Sequence, residues 1–411
     1  MLRFNTNSWL TIGSLSALAL AALIGALVDA DQISWWLLLS EVMGKLWVIL
    51  LLLLVIPLVC TYVFHTIMTM GQSRPMARLG FHAIKAHVLI LVSSVAFTII
   101  VGQMLLWSFN SSLSQLHIMT DAKQLPNQEV VGSGVLSIVL NMLDIGQKYL
   151  GQGVLLLMFM VLLVGLAGSY WQITFLKSSV SMSEQVGHRA MSWLKTYFIT
   201  LPFAVFVLIL PLIVESGMAV IGVALYFVLI LCFLLFAFTA VLYVITYFGA
   251  GTGLVEFGRG IFHAQLTALS TRSSMATIPA MILASKKSFD IPENVAAMAI
   301  PFFTTIFRLN KGISSIFKFL FLSYVYGIPI EPATLLMFAS AQILVSFGTP
   351  GIPSGSKFIT LPIYLAAGIP MEGYVLLKAV DAIPDIFKTV LNITEVMTIV
   401  LIVKDKLKAL A

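Results

Sequence analysis

Long apolar runs separated by short polar gaps dominate this chain. In the first 250 residues, six runs stand near 9–29, 35–65, 85–108, 134–167, 192–216 and 218–249. A helix crosses a hydrocarbon core in about 20 residues, so each run is long enough to span a bilayer. The pattern predicts six helices, with a polar segment over 109–133 and a very short turn at "IVESGMAV". The opening "MLRFNTNSWLTIGSLSALALAALIGAL" runs well past the apolar length of a cleavable leader and reads as a retained helix. Charge is nearly absent inside these spans. Lipid contact and helix packing account for them, and no chemistry is assigned there.

The pattern changes after residue 250. "STRSSMATIPAMI" (270–282) interrupts an apolar stretch with Ser, Thr, Arg and Pro279. "VSFGTPGIPSGSKFITLP" (345–362) does so with Gly348, Pro350, Gly351, Pro353 and Gly355. Neither can continue as a spanning helix, because Gly and Pro free backbone groups that hydrocarbon cannot satisfy. Two such breaks, each between apolar arms, predict two re-entrant helical hairpins whose tips meet near the midplane. Interrupted helices at corresponding places are the sequence pointer to a transporter's binding site.

In the last run, Asp381, Asp385, Lys388, Asn392 and Glu395 follow one another at steps of four, three, four and three. That spacing predicts one polar helical face. A charge at the bilayer centre costs at least about 2.5 kcal/mol, so such a face turns toward a polar interior. "TTIFRLNKGISS" (304–315) likewise sets Arg308 and Lys311 between two apolar runs.

Composition agrees with the pattern. Of 411 residues, 60% are hydrophobic and 10% charged, and the mean hydropathy is +1.03. Soluble domains carry about 25% charged residues, so the chain reads as a polytopic, all-α membrane protein of eight spans. The formal net charge of +6 is spread over connections: Arg74, Arg78 and Lys85, then Lys177, Arg189 and Lys195, then Lys404, Lys406 and Lys408. Asp29 and Asp31 lie between the first two runs. The positive-inside rule then places both termini in the cytoplasm of a plasma (inner) membrane. Scattered basic residues make no concentrated face for nucleic acid. Cys60 and Cys232 lie inside apolar runs and give neither a disulfide nor a metal signature. His65, His82, His87, His117, His188 and His263 lack ligand spacing, so no metal site and no cofactor is expected.

The tip Ser270–Pro279, the second tip "GTPGIPSGS" and the pattern Asp385-x-x-Lys388-Thr389-x-x-Asn392 together resemble the dicarboxylate/amino acid:cation symporters, the family of the glutamate transporters. The motifs cover about 250–405, and the first half agrees in hydropathy and span count. The resemblance implies an elevator fold and a homotrimer. Residues 1–250 would hold the trimerisation scaffold and part of the transport domain, and 251–405 the transport core. Within that core it implies hairpin 1 (252–285), a broken seventh helix (293–327), hairpin 2 (332–367) and an eighth helix (373–403).

The resemblance also implies the binding residues for an acidic amino acid or dicarboxylate. Arg272, Ser273 and Ser274 at the first tip would hold the main carboxylate, and Ile352, Pro353, Ser354 and Gly355 would close over it. Asp385 would take an amino group, with Thr389 and Asn392 completing the pocket. Lys388 stands where acidic-substrate members have an arginine. It keeps the charge and loses the bidentate fork.

The chain departs from its family where the family binds sodium. Aligned from Pro301, the relatives' Asn-Met-Asp-Gly-Thr motif falls on Phe307 to Lys311, so the sodium aspartate becomes Leu309 and the methionine Arg308. The second sodium aspartate falls on Val396, beside Glu395. Sodium needs converging oxygens, and a guanidinium at short range repels it by several kcal/mol in low dielectric. The expectation is that Arg308 replaces bound sodium and pairs with Asp381, Asp385 or substrate. Protons would then drive transport, with Asp381, Asp385 and Glu395 as candidate carriers. Uncoupled exchange or facilitated passage is the runner-up. An anion channel would need a continuous polar path rather than convergence at one depth. An aspartyl protease would need facing carboxyls, whereas Asp381 and Asp385 are one turn apart on one helix.

Overall fold

The computed structural model describes residues 6–27, 34–70, 74–108, 135–170, 174–217, 219–348 and 360–408, and every regular element among them is helical. In lipid a helix satisfies its own backbone, which is why apolar runs of this length take that form. The first part comprises α1 (Thr6–Leu27), α2 (Ser34–Met70), α3 (Arg74–Ser108), α4 (Val135–Tyr170), α5 (Thr174–Tyr197), α6 (Leu201–Ser216) and α7 (Ala219–Ala250). Four stretches among the described residues are long and apolar enough to cross a membrane: Leu39–Leu58, His82–Ser108, Ser179–Val214 and Ala219–Ala250.

One difference from the sequence pattern is α5. The pattern placed a connection near 180 and began a helix at 192. The structure continues the helix back to Thr174 and joins it to α6 through a 3-10 turn, Phe198–Thr200. The extra turns are amphipathic: Gly187, Ala190 and Leu194 are buried, with polar residues around them, and α5 packs on α2. Apolar run length misses such a helix, whereas a three-and-four spacing finds it.

Packing in this half relies on close approach. A Cβ added at Gly13 or Gly25 of α1 would come within 2.8 or 2.7 Å of Pro202 or Ile213 of α6. Small residues at such crossings let helices pack by van der Waals contact where lipid supplies no hydrophobic drive.

The second part is built from interrupted helices. α8 (Leu254–Thr271) and α9 (Ser274–Phe289) pack against one another around a two-residue tip. Arg272 closes that tip in the left-handed region at φ 52°, ψ 32°, a strained conformation for a non-glycine residue. Ser273 is extended, and its Oγ caps α9 by accepting from the Ala276 N–H at 3.3 Å.

α10 (Glu293–Ile306) stops at Phe307, whose backbone is extended at φ −86°, ψ 126°. The chain re-enters through a π-helical turn, Lys311–Ser315, and continues as α11 (Ile316–Val325). π-turns inside helices are frequent at functional sites. Gly312 is required there by space: a Cβ would fall 2.2 Å from Ser94 Oγ and 3.0 Å from Leu91 Cδ1 of α3.

α12 (Pro332–Gly348) and α13 (Leu361–Ala366) flank the second predicted tip, and residues 349–359 lie outside the described residues. The predicted eighth helix is two elements, α14 (Met371–Ala379) and α15 (Pro384–Ile402). Pro384 explains the break, because it lacks an N–H and its ring would clash with the carbonyl four residues back. The short α16 (Lys404–Lys408) follows.

α15 is the hub of this half, packed against α3, α7, α8, α9 and α10. Residues Leu391 to Leu401 are buried without exception. Its polar side chains are tied outward: Thr398 to Thr246 of α7 at 2.8 Å, and Thr394 to Gln265 of α8 at 2.9 Å.

Candidate functional site

The two helix interruptions after α10 and after α14 come together. Asn310, in the α10–α11 break, donates its backbone N–H to Asn392 Oδ1 of α15 at 3.0 Å. Thr389, one turn earlier on α15, donates to the Asp385 carbonyl at 2.8 Å. A bent helix leaves such backbone groups without helical partners, and a buried side-chain amide satisfies one here.

Asp381 anchors a charge cluster in the turn before α15. Lys388 donates to Asp381 Oδ1, Lys378 donates to Oδ2 at 3.0 Å, and Lys388 also reaches Asp385 Oδ1 at 3.1 Å. Asp381 and Lys388 are buried, at 3% and 7% exposed. The predicted polar face therefore needs correcting at its first member. Asp381 precedes the helix rather than lying on it, although the Asp385 N–H still bonds its carbonyl at 3.0 Å. Pro384 resets the phase that the four-three spacing ran straight through.

More cations surround this cluster. Lys311 lies within electrostatic range of Arg308, Lys378, Lys388 and Asp381. Lys318 of α11 is 3% exposed, interacts with Lys378, Lys388, Asp381 and Asp385, and stands 5.1 Å from the Tyr374 ring centroid. The π-face of that ring attracts a desolvated ammonium. Arg308 is half-buried, and the charged groups in its electrostatic range are Glu395 and Lys311 rather than the expected Asp381 or Asp385.

Glu395 meets His87 of α3: Nδ1 and Oε1 are 2.5 Å apart, and both side chains are 0% exposed. The Phe307 ring stacks on the imidazole at 4.4 Å and 15°, and Phe303 stacks on Phe307 at 5.2 Å.

The residues named from sequence thus divide into groups. Asp381, Asp385, Lys388, Thr389, Asn392, Arg308 and Glu395 gather around the two breaks. Ser273 and Ser274 sit at the first tip, where Ser274 is buried and opens α9. Arg272 shapes that tip with its side chain exposed. Ile352, Pro353, Ser354 and Gly355 lie outside the described residues.

Sequence reasoning missed His87, Lys318 and Lys378. The signal was present: an ionisable residue inside an apolar span is by default a functional candidate. The histidines were tested only for metal spacing, and a single imidazole needs no such spacing to pair with a carboxylate.

Interrupted helices converging around buried charge define a membrane transport protein of the secondary-carrier class. The chain belongs to the sodium:dicarboxylate symporter family, which it matches over residues 10–406. That family consists of symporters, so the protein is an integral membrane transporter and not an enzyme.

It is 22% identical over 414 residues to the proton/glutamate-aspartate symporter of Escherichia coli (strain K12), covering 97% of this chain and 94% of that one. It is 29% identical over 138 residues to excitatory amino acid transporter 2 of Homo sapiens, or 34% of this chain and 24% of that one. An excitatory amino acid transporter of Onchocerca volvulus is 25% identical over 137 residues, or 33% of this chain and 28% of its own length. The chain spans nearly the whole bacterial relative and about a quarter of the animal ones.

Proposed function

We propose that this protein carries acidic amino acids or dicarboxylates across the inner membrane without sodium, driven by protons, with Arg308 in the role of a bound cation. The observation that carries the reading is the gathering of basic side chains at the helix breaks, with the buried Lys388 bonded to Asp381 and Asp385. Arg308, Lys311, Lys318, Lys378 and Lys388 face Asp381, Asp385 and Glu395. A buried ammonium or guanidinium is expensive without a counter-charge, and an anionic substrate supplies one. The same cations repel sodium from the place where relatives lodge it. Kinship with a proton/glutamate-aspartate symporter supports both the substrate class and the proton.

In this reading, eight spans and two re-entrant hairpins form a homotrimer with both termini cytoplasmic. Residues 251–405 form the core of a transport domain that moves like an elevator against a scaffold within 1–250. Substrate sits between Ser273 and Ser274 of the first tip and Asp385, Lys388, Thr389 and Asn392 of α15. Ile352 to Gly355 close over it. Lys388 then exchanges part of its bonding with Asp381 and Asp385 for a substrate carboxylate.

Uptake into proteoliposomes in sodium-free medium, with and without an imposed pH gradient, tests the function. Accumulation of L-aspartate, L-glutamate or succinate that follows the pH gradient supports it. A strict requirement for sodium overturns it. Uncoupled exchange remains the second reading because Asp381 and Asp385 already have lysine partners. Counterflow indifferent to pH favours that reading.

A further inference from the structure

The proposed function leaves open which group carries the proton. Asp381 and Asp385 are bonded to lysines, and protonating either would strip a buried ammonium of its counter-charge. The pair between α3 and α15 is different. His87 and Glu395 are 308 residues apart in sequence, fully buried, and in contact at 2.5 Å.

One proton separates the two states of this pair. With it, the pair is neutral overall. Without it, the pair carries one negative charge, which the Arg308 guanidinium in electrostatic range of Glu395 balances. Loading the pair leaves the Arg308 guanidinium as the local charge, and an anionic substrate can offset it. Glu395 Oε2 is buried without a hydrogen-bond partner among the described residues.

Among the described residues, α7, α8 and α9 meet this part of α15 through Thr246 on Thr398, Gln265 on Thr394, and Ser285 beside Met397. Arg308, from the break after α10, supplies the charged neighbour.

Access is the second half of the argument. Phe307, extended at the break, covers the imidazole face. Three residues on, Asn310 holds Asn392, and Asn392 lies one helical turn from Glu395 on the same face of α15. One short segment therefore closes over the proton pair at one end and grips the substrate helix at the other.

We propose that the His87–Glu395 pair is the exchangeable proton site of this transporter, and that the Phe307–Asn310 break links access to it with occupation of the substrate site. Loading adds one water-borne proton to the anionic pair, and unloading returns it to water on the opposite side; no other bond changes. The inference rests on the proton-coupled reading above.

The test compares the full-length protein with Glu395→Gln and His87→Gln in sodium-free proteoliposomes, using L-aspartate, L-glutamate and succinate as probes. A pH gradient of about one unit drives about tenfold accumulation per coupled proton. The wild type should show that response, and both variants should lose it. A wild type indifferent to pH overturns the proton-coupled reading and this inference with it. A wild-type response that both variants retain overturns the inference alone. Infrared difference spectra of the unmodified protein with and without L-aspartate, recorded at about pH 6 and about pH 8, give a check free of folding defects. A protonation change in a buried carboxyl or imidazole that depends on substrate supports the assignment, and its absence overturns it.

Discussion

The backbone N–H of Asn310 bonds the side-chain oxygen of Asn392 at 3.0 Å, joining two helices at the point where one of them is broken. The bond gives Asn392 a structural duty in addition to the substrate contact proposed for it.

Replacing Asn392 with alanine leaves a buried N–H without its acceptor, a penalty of about 1–3 kcal/mol. Asn392→Ala should lower the melting temperature of the purified protein and raise the KM for L-aspartate uptake. Asn392→Asp keeps an acceptor and should recover much of the stability. Equal losses in both variants would assign the residue to substrate alone.

Arg308→Met tests the role proposed for this guanidinium. It removes the proposed resident cation without supplying Leu309 with a carboxylate. Sodium-free uptake should fall to background, and added sodium should not restore it. Unimpaired sodium-free uptake would dismiss Arg308 from the mechanism.

Asp381 holds two ammonium groups at once. Asp381→Asn should therefore cost about 3–5 kcal/mol, the usual range for breaking a buried ion pair. Removing one orphaned cation in addition, as Lys378→Met, should return part of that loss in thermal melts. Additive losses in the double variant would mean that the two residues act independently.

Gly312→Ala places a methyl where Ser94 Oγ stands 2.2 Å away. Overpacking of this kind costs about 1–3 kcal/mol. Ser94→Ala should partly rescue it by vacating the space, as read from melting temperature and uptake rate together. No rescue would indicate that the Leu91 contacts dominate.

Glu293 offers a contrast outside the membrane spans. Its carboxyl is bonded to Lys286 at 2.6 Å, and that bond holds its pKa below the usual carboxylate range. The pair's contribution is thus present above the unfolded carboxyl pKa and fades as the pH falls through the lowered value. Both side chains are more than half exposed, so salt and side-chain entropy keep the effect small. Lys286→Ala should leave the melting temperature near that of the wild type at neutral pH.

Much of the second half was legible in the sequence because broken helices in lipid must advertise themselves. Ser and Pro around 270–279 announced an interruption, which falls at Arg272–Ser273, while the break at Phe307–Asn310 was implied by the family resemblance. Pro384 was equally visible, but the regular spacing from Asp381 to Glu395 concealed the reset. The His87–Glu395 contact could not be read at all. Periodicity reports neighbours within one helix, whereas this pair depends on how α3 lies across α15. Lys318 hid for another reason: "FKFLFL" reads as apolar unless a single lysine within it is treated as an anomaly to be explained.

Gly312 also bears on how the protein can move. Where it meets α3, the side chains of Ser94 and Leu91 fill the space that a Cβ would need. Any sliding of α3 across that turn would first require the two to part. Such a contact favours motion of the two as one piece over any boundary drawn between them.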